Sequence, residues 1–174
     1  MGMSRAFAKE DDAVEAPIIP ARAALPPGVT NYVTPQGLAQ LRLEAAELEA
    51  ERTKIETSQS DALERTRKLT IIKGKIHQLN ERLATAKLVE TEGQPTDQVR
   101  FGATVTLKTV EGGKPGFIRK FTIVGVDEAS ITEGKIAFVA PIAKAVQGAK
   151  KDDIVTLHLA GKEEKVLVEA ITYA

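Results

Sequence analysis

Two stretches of this chain carry apolar residues at alternating spacings of three and four: Leu38, Leu41, Ala45, Leu48 and Ile55, then Leu69, Ile72, Ile76, Leu79, Leu83 and Ala86. This is the a/d spacing of a coiled coil. The short polar break between the two stretches predicts an antiparallel helical hairpin rather than a dimeric zipper. Thr34-Pro35 opens the first helix with a hydroxyl placed to cap and a proline whose missing N–H is harmless at the first helical position. That helix is expected to run to about Glu56, and the second from about 61 to 90. Gly74 interrupts the second helix at a cost of about 1 kcal/mol relative to alanine, so a close approach of the other arm or local flexibility is expected there.

Thr91-Glu92-Gly93-Gln94-Pro95 ends the helical pattern, and beyond it the period falls to two. Strands are predicted at 103–107, 117–126, 135–139, 153–159 and 165–173, with turns at 111–116 and 160–162. Pro141 to Val146 reads as a short helix opened by proline. The fold class is α+β: an antiparallel coiled-coil hairpin at 31–92, then a small antiparallel β-sheet domain with one short helix at 97–174. Residues 1–30, with Pro17, Pro20, Pro26 and Pro27 among alanines and charges, are expected to form a disordered tail, and the natural start is placed at Met3.

Composition narrows the chemistry. The 174 residues include 24 basic and 24 acidic side chains, so no net field selects nucleic acid or an anionic membrane. With no cysteine, thiol chemistry, disulfides and cysteine-bound zinc are excluded. No apolar run approaches a membrane span, and Lys9-Glu10-Asp11-Asp12 stands where a signal peptide needs an apolar core, so the chain reads as cytoplasmic. Aromatic residues are only 4%, a poor supply of base-stacking platforms. His77 and His158 fall in different elements, and neither half groups a nucleophile, a base and an orienting residue. The chain is not expected to be an enzyme in its own right, and a monomer is expected.

The polar break Thr57–Glu64 holds the candidate chemistry. Asp61 and Glu64 stand three apart, so on a helix starting at Asp61 they share a face and could hold one hydrated Mg²⁺ whose remaining ligands come from elsewhere. The same pair also makes a capping-box-like start for any helix, and the two readings are compatible. Arg65, Arg67, Lys68, Lys73 and Lys75 follow, either as a solvated face or as a strip facing nucleic acid.

Five phrases occur in order: Val33-Thr34-Pro35-Gln36-Gly37-Leu38, Phe101-Gly102-Ala103-Thr104-Val105, Ile123-Val124-Gly125-Val126-Asp127-Glu128-Ala129, Ala140-Pro141-Ile142-Ala143-Lys144-Ala145, and Ala170-Ile171-Thr172-Tyr173. With the hairpin, they closely resemble the GreA/GreB family of bacterial transcript-cleavage and elongation factors over about residues 31–174. The resemblance implies an FKBP-like C-terminal domain that docks on RNA polymerase, and a coiled coil that enters the secondary channel. It also implies that carboxylates at the tip help hold a Mg²⁺ shared with the polymerase, so that backtracked nascent RNA is cut.

Carried over to this chain, Asp61 and Glu64 are the expected catalytic and metal-binding residues, Mg²⁺ being held only in the complex. Arg65, Arg67 and Lys68 are the expected RNA contacts, and Pro141, Ile142, Ala143 and Lys144 the expected docking surface. The family's glycine before the Asp and asparagine after the Glu are Ser60 and Arg65 here, and no tyrosine is nearby. Both arms look shorter than is typical by roughly one to two turns, or about 7–10 Å at 1.5 Å per residue. Three functions therefore stay open: a cleavage-stimulating elongation factor, a non-cleaving regulator that competes for the channel, and a protein-interaction module unrelated to cleavage.

Overall fold

The computed structural model describes residues 16–174, and the first half of the expected tail lies outside the described residues. The elements run β1 (Asn31–Val33), α1 (Pro35–Glu56), α2 (Ala62–Thr85), β2 (Ala86–Leu88), β3 (Ala103–Glu111), β4 (Ile118–Val124), a 3₁₀ turn (Ile131–Glu133), β5 (Lys135–Ala137), α3 (Pro141–Val146), β6 (Ile154–Leu159) and β7 (Lys162–Tyr173). The chain forms two compact units. One comprises Ala45–Asn80 together with the segment ending at Ala21, the other Arg22–Glu44 and Glu81–Ala174.

In the first unit, Leu48, Ile72 and Leu79 are buried at a/d positions, with Ile72 and Leu79 at 2% and 1% exposure. Burial of that kind is worth about 1.5–3 kcal/mol per side chain, which supplies the stability that a thin helical hairpin otherwise lacks. The neighbour at Gly74 is not the other arm. A Cβ added there would lie 2.2 Å from Ile19 Cδ1, so the missing side chain makes room for the N-terminal segment. Residues 16–30 contain neither helix nor strand, as their prolines require.

The second unit is built on a five-stranded sheet in the order β5-β4-β3-β7-β6. Every pairing in it is antiparallel except β4 with β5, which run parallel, so the expected all-antiparallel sheet is in fact mixed. The cause is the connection through 125–134: its 3₁₀ turn brings the chain back so that β5 enters in the direction of β4. The expected strand at 135–139 also stops at Ala137, and Phe138 turns away to join Tyr32 and Phe101 in a cluster with ring centroids 5.6–5.8 Å apart.

Ala103, Val105 and Leu107 of β3 alternate inward, meeting Val166, Val168 and Ile171 of β7 and Ala143 and Val146 of α3. On β7 the buried positions change from even to odd because a register shift between Thr106 and Leu107 leaves Glu169 without a partner on β3. Such a bulge reverses which face each later side chain takes.

The second helix ends at Thr85, short of the expected 90. Asn31 Nδ2 donates to the carbonyl of Arg82 at 2.9 Å, and residues 86–88 then pair in parallel with 31–33. Here tertiary pairing overrides a helical pattern that continues through Leu83 and Ala86. The expected cap at the start of α1 is present: Gly37 N donates to Thr34 Oγ1 at 2.9 Å, and that hydroxyl in turn donates to Glu128 Oε1.

Candidate functional site

At the turn between the helices, Ser58 Oγ donates to the Ile55 carbonyl at 2.9 Å, closing the end of α1, and sits 2.9 Å from Ser60 Oγ. Asp61 precedes α2 and accepts from Glu64 N at 3.4 Å, the long limit of a hydrogen bond and so a weak cap. Arg65 Nη1 donates to the Ser58 carbonyl at 3.0 Å, so this guanidinium spans the turn rather than extending into solvent. Glu64 Oε1 lies 2.9 Å from Lys68 Nζ, with both side chains about half exposed. Helix ion pairs of this kind are worth about 0.3–0.5 kcal/mol, a small cost for releasing the carboxylate to another ligand.

The turn therefore presents Asp61 and Glu64 to solvent with no structural duty beyond a weak cap and a weak ion pair. Two such carboxylates suit a hydrated Mg²⁺ that takes one or two protein ligands. No group of three or more His, Cys, Asp or Glu residues able to hold a metal occurs among the described residues. Of the basic residues expected to meet RNA, Arg67 is exposed, Lys68 is shared with Glu64, and Arg65 is tied to the turn.

The four residues expected to form a docking surface divide. Ala143 is 2% exposed and Ile142 packs against the core, so of the four only Pro141 and Lys144 are exposed.

A charged cluster went unread in the sequence. Asp127 accepts from Arg22 Nε at 3.1 Å and from Arg82 Nη1 at 3.2 Å, and Arg22 grips Glu44 with two bonds of 2.8 and 2.9 Å. The Glu44 hydrogen bond raises the Arg22 pKa above its usual value, against the opposing effect of burial. The bonded pairs stand 22, 45 and 105 residues apart, which leaves no local spacing that could reveal the cluster. A second ion pair, Arg119 with Glu164, sits under the Glu111–Gly116 loop. No helix among the described residues is long and apolar enough to cross a membrane.

The family model described as "Transcription elongation factor, GreA/GreB, C-term" matches residues 94–173. The transcription elongation factor GreA of Ralstonia nicotianae is 36% identical over 103 residues, which is 59% of this chain and 63% of that protein. The chain thus spans under two thirds of the length of such GreA relatives. The transcription elongation factor GreB of Neisseria meningitidis is 31% identical over 157 residues, covering 82% of this chain and 94% of that protein. A solved GreA/GreB elongation factor from Nitrosomonas europaea is 17% identical and covers 82% of this chain and 98% of its own, at a TM-score of 0.40.

Proposed function

Because the chain belongs to the GreA/GreB family of transcription elongation factors, we propose that it binds RNA polymerase in the cytoplasm and places its hairpin in the secondary channel, where it stimulates cleavage of backtracked RNA. The observation that carries this reading is the exposed pair Asp61 and Glu64, held by interactions weak enough to yield to a metal. In the complex these two carboxylates would hold a Mg²⁺ shared with the polymerase, and the ion would supply the activation of water. This chain's part is to position two negative charges. Arg67 and Lys68 would steady RNA phosphate, Lys68 after leaving Glu64. Pro141 and Lys144, with neighbouring strand ends, would contribute to docking.

The test is cleavage in stalled elongation complexes by the wild type, Asp61→Asn and Glu64→Gln. Asp61→Asn keeps an oxygen that can cap α2, so a folding defect is not expected. The proposal expects cleavage with the wild type and at least a tenfold loss, about 1.4 kcal/mol in the barrier, with either variant. Equal cleavage by all three proteins removes the tip from the mechanism.

A second reading is favoured by the tie between Arg65 and the Ser58 carbonyl, which holds a cation within the same turn that carries Asp61. On that reading the chain occupies the channel without cleaving. It would then suppress cleavage stimulated by a GreA protein while producing none of its own.

A further inference from the structure

We propose that the cleft between the Glu111–Gly116 loop and the β6–β7 turn binds an acidic segment of a protein partner that inserts one large apolar side chain. The cleft has a volume of about 420 Å³, with Lys114 and Lys162 on its rim and Phe117 and Leu159 among its walls. It lies within the size range of ligand-binding clefts.

Its charge is organised. Glu164 is 8% exposed and accepts from Arg119 Nη2 at 2.8 Å, Arg119 Nη1 at 3.1 Å and Thr109 Oγ1 at 2.7 Å. The acid is thus satisfied internally, and the Arg119–Glu164 pair is neutral in sum. The net positive charge belongs to the two lysines, and no acidic side chain pairs with either among the described residues. Glu111, beside the loop, is engaged by Lys165 at 3.4 Å, and Glu163 lies 3.6 Å from His158 Nδ1.

The loop takes this position because two glycines allow it. A Cβ on Gly112 would fall 2.2 Å from the Glu163 carbonyl oxygen, and one on Gly113 would fall 2.6 Å from Glu164 Oε1.

Phe117, 48% exposed, lines the cleft with Arg119, while the exposed Val110 and Ile118 alternate to the opposite face of the β3–β4 hairpin. Arg119 lies over the Phe117 ring at 5.0 Å. An aromatic residue, an arginine and a leucine lining one cleft, with two lysines beside them, match the composition of a protein interface centre. The paired cations select an acidic occupant. Nucleic acid fits less well: the guanidinium covers one face of the single aromatic ring, and two lysines are few for tracking a phosphate backbone. The proposal does not depend on transcript cleavage, which concerns the hairpin turn, and either can fail while the other stands.

The test uses the full ¹⁵N-labelled chain and an acetylated, amidated pentapeptide with a central leucine flanked on each side by two glutamates. Saturable shifts are expected at the amides of Gly112, Gly113 and Lys162. The Lys114→Glu/Lys162→Glu double variant, altered only at exposed positions, is expected to keep a folded spectrum and to lose at least about tenfold in affinity. Phe117→Ser is expected to weaken binding separately. Unchanged affinity in the double variant, shifts confined to other elements, or equal binding of the same peptide with lysines in place of glutamates overturns the proposal. So does tighter saturation of these amides by a short oligouridylate, which would assign the cleft to nucleic acid.

Discussion

Replacing Asp127 by asparagine removes one charge from a site where two arginines converge, and the cost follows from exposure and remaining partners. The Asp127 side chain is 7% exposed, and those of Arg22 and Arg82 are 18% and 14% exposed. Breaking a fully buried pair from one side costs about 3–5 kcal/mol, because a charge is left without compensation. Here the loss is smaller, since Arg22 keeps its two bonds to Glu44 and Arg82 Nη2 keeps its 2.6 Å bond to the Ala23 carbonyl. Asparagine also retains one acceptor. These terms bring the expected cost of Asp127→Asn to about 2–3 kcal/mol, a drop in Tm of about 4–12 °C for a chain of this length. Arg22→Ala should cost less, because Asp127 then still has Arg82. Urea unfolding of both variants, with hydrogen exchange at Asn31–Val33 to localise the effect, measures this. A loss below about 0.5 kcal/mol for Asp127→Asn, the level of an exposed pair, would refute the reasoning.

Other outcomes are equally specific. Gly74→Ala gains about 1 kcal/mol of helix propensity but displaces Ile19; in an Ile19→Ala background the gain should appear in full, and a double-mutant cycle on urea midpoints gives the coupling, with zero coupling contradicting the contact. Leu79→Ala, at a position 1% exposed, should cost about 2–5 kcal/mol and melt the helical signal at 222 nm earlier. Hydrogen bonds from Arg119, then Thr109, hold the Glu164 carboxyl below its ordinary range. Its contribution is therefore complete above the unfolded glutamate pKa of about 4.3 and is lost as pH falls through the lower folded value. The stability gap between wild type and Glu164→Gln should stay constant near neutrality and close in acid; a gap that widens in acid contradicts this assignment.

What could be read from the residues was whatever repeats locally. The a/d positions Leu48, Ile72 and Leu79 are buried, Thr34 caps α1, and the β3 alternation points Ala103, Val105 and Leu107 inward. Asp61 precedes α2 and caps it weakly through Glu64 N, because a helix start is a local event. Features that need partners distant in sequence were not legible. The parallel entry of β5 depends on how a ten-residue connection folds back, and the end of α2 depends on Asn31, some fifty positions earlier. Gly74 signalled a close approach, but nothing in its neighbours named Ile19 as the group approaching. The Arg22–Asp127–Arg82 cluster joins three residues that no periodicity relates.

The three-residue ladder of Asn31–Val33 against Ala86–Leu88 closes residues 34–85 into an excursion that leaves and returns through adjacent strands. Because the two strands run parallel, the chain leaves at one end of the ladder and returns at the other, so a replacement for the excursion must be a crossover of about a dozen residues or more rather than a tight turn. The helical segment is in that sense a cassette: its length can change without altering the register of the two strands that bound it.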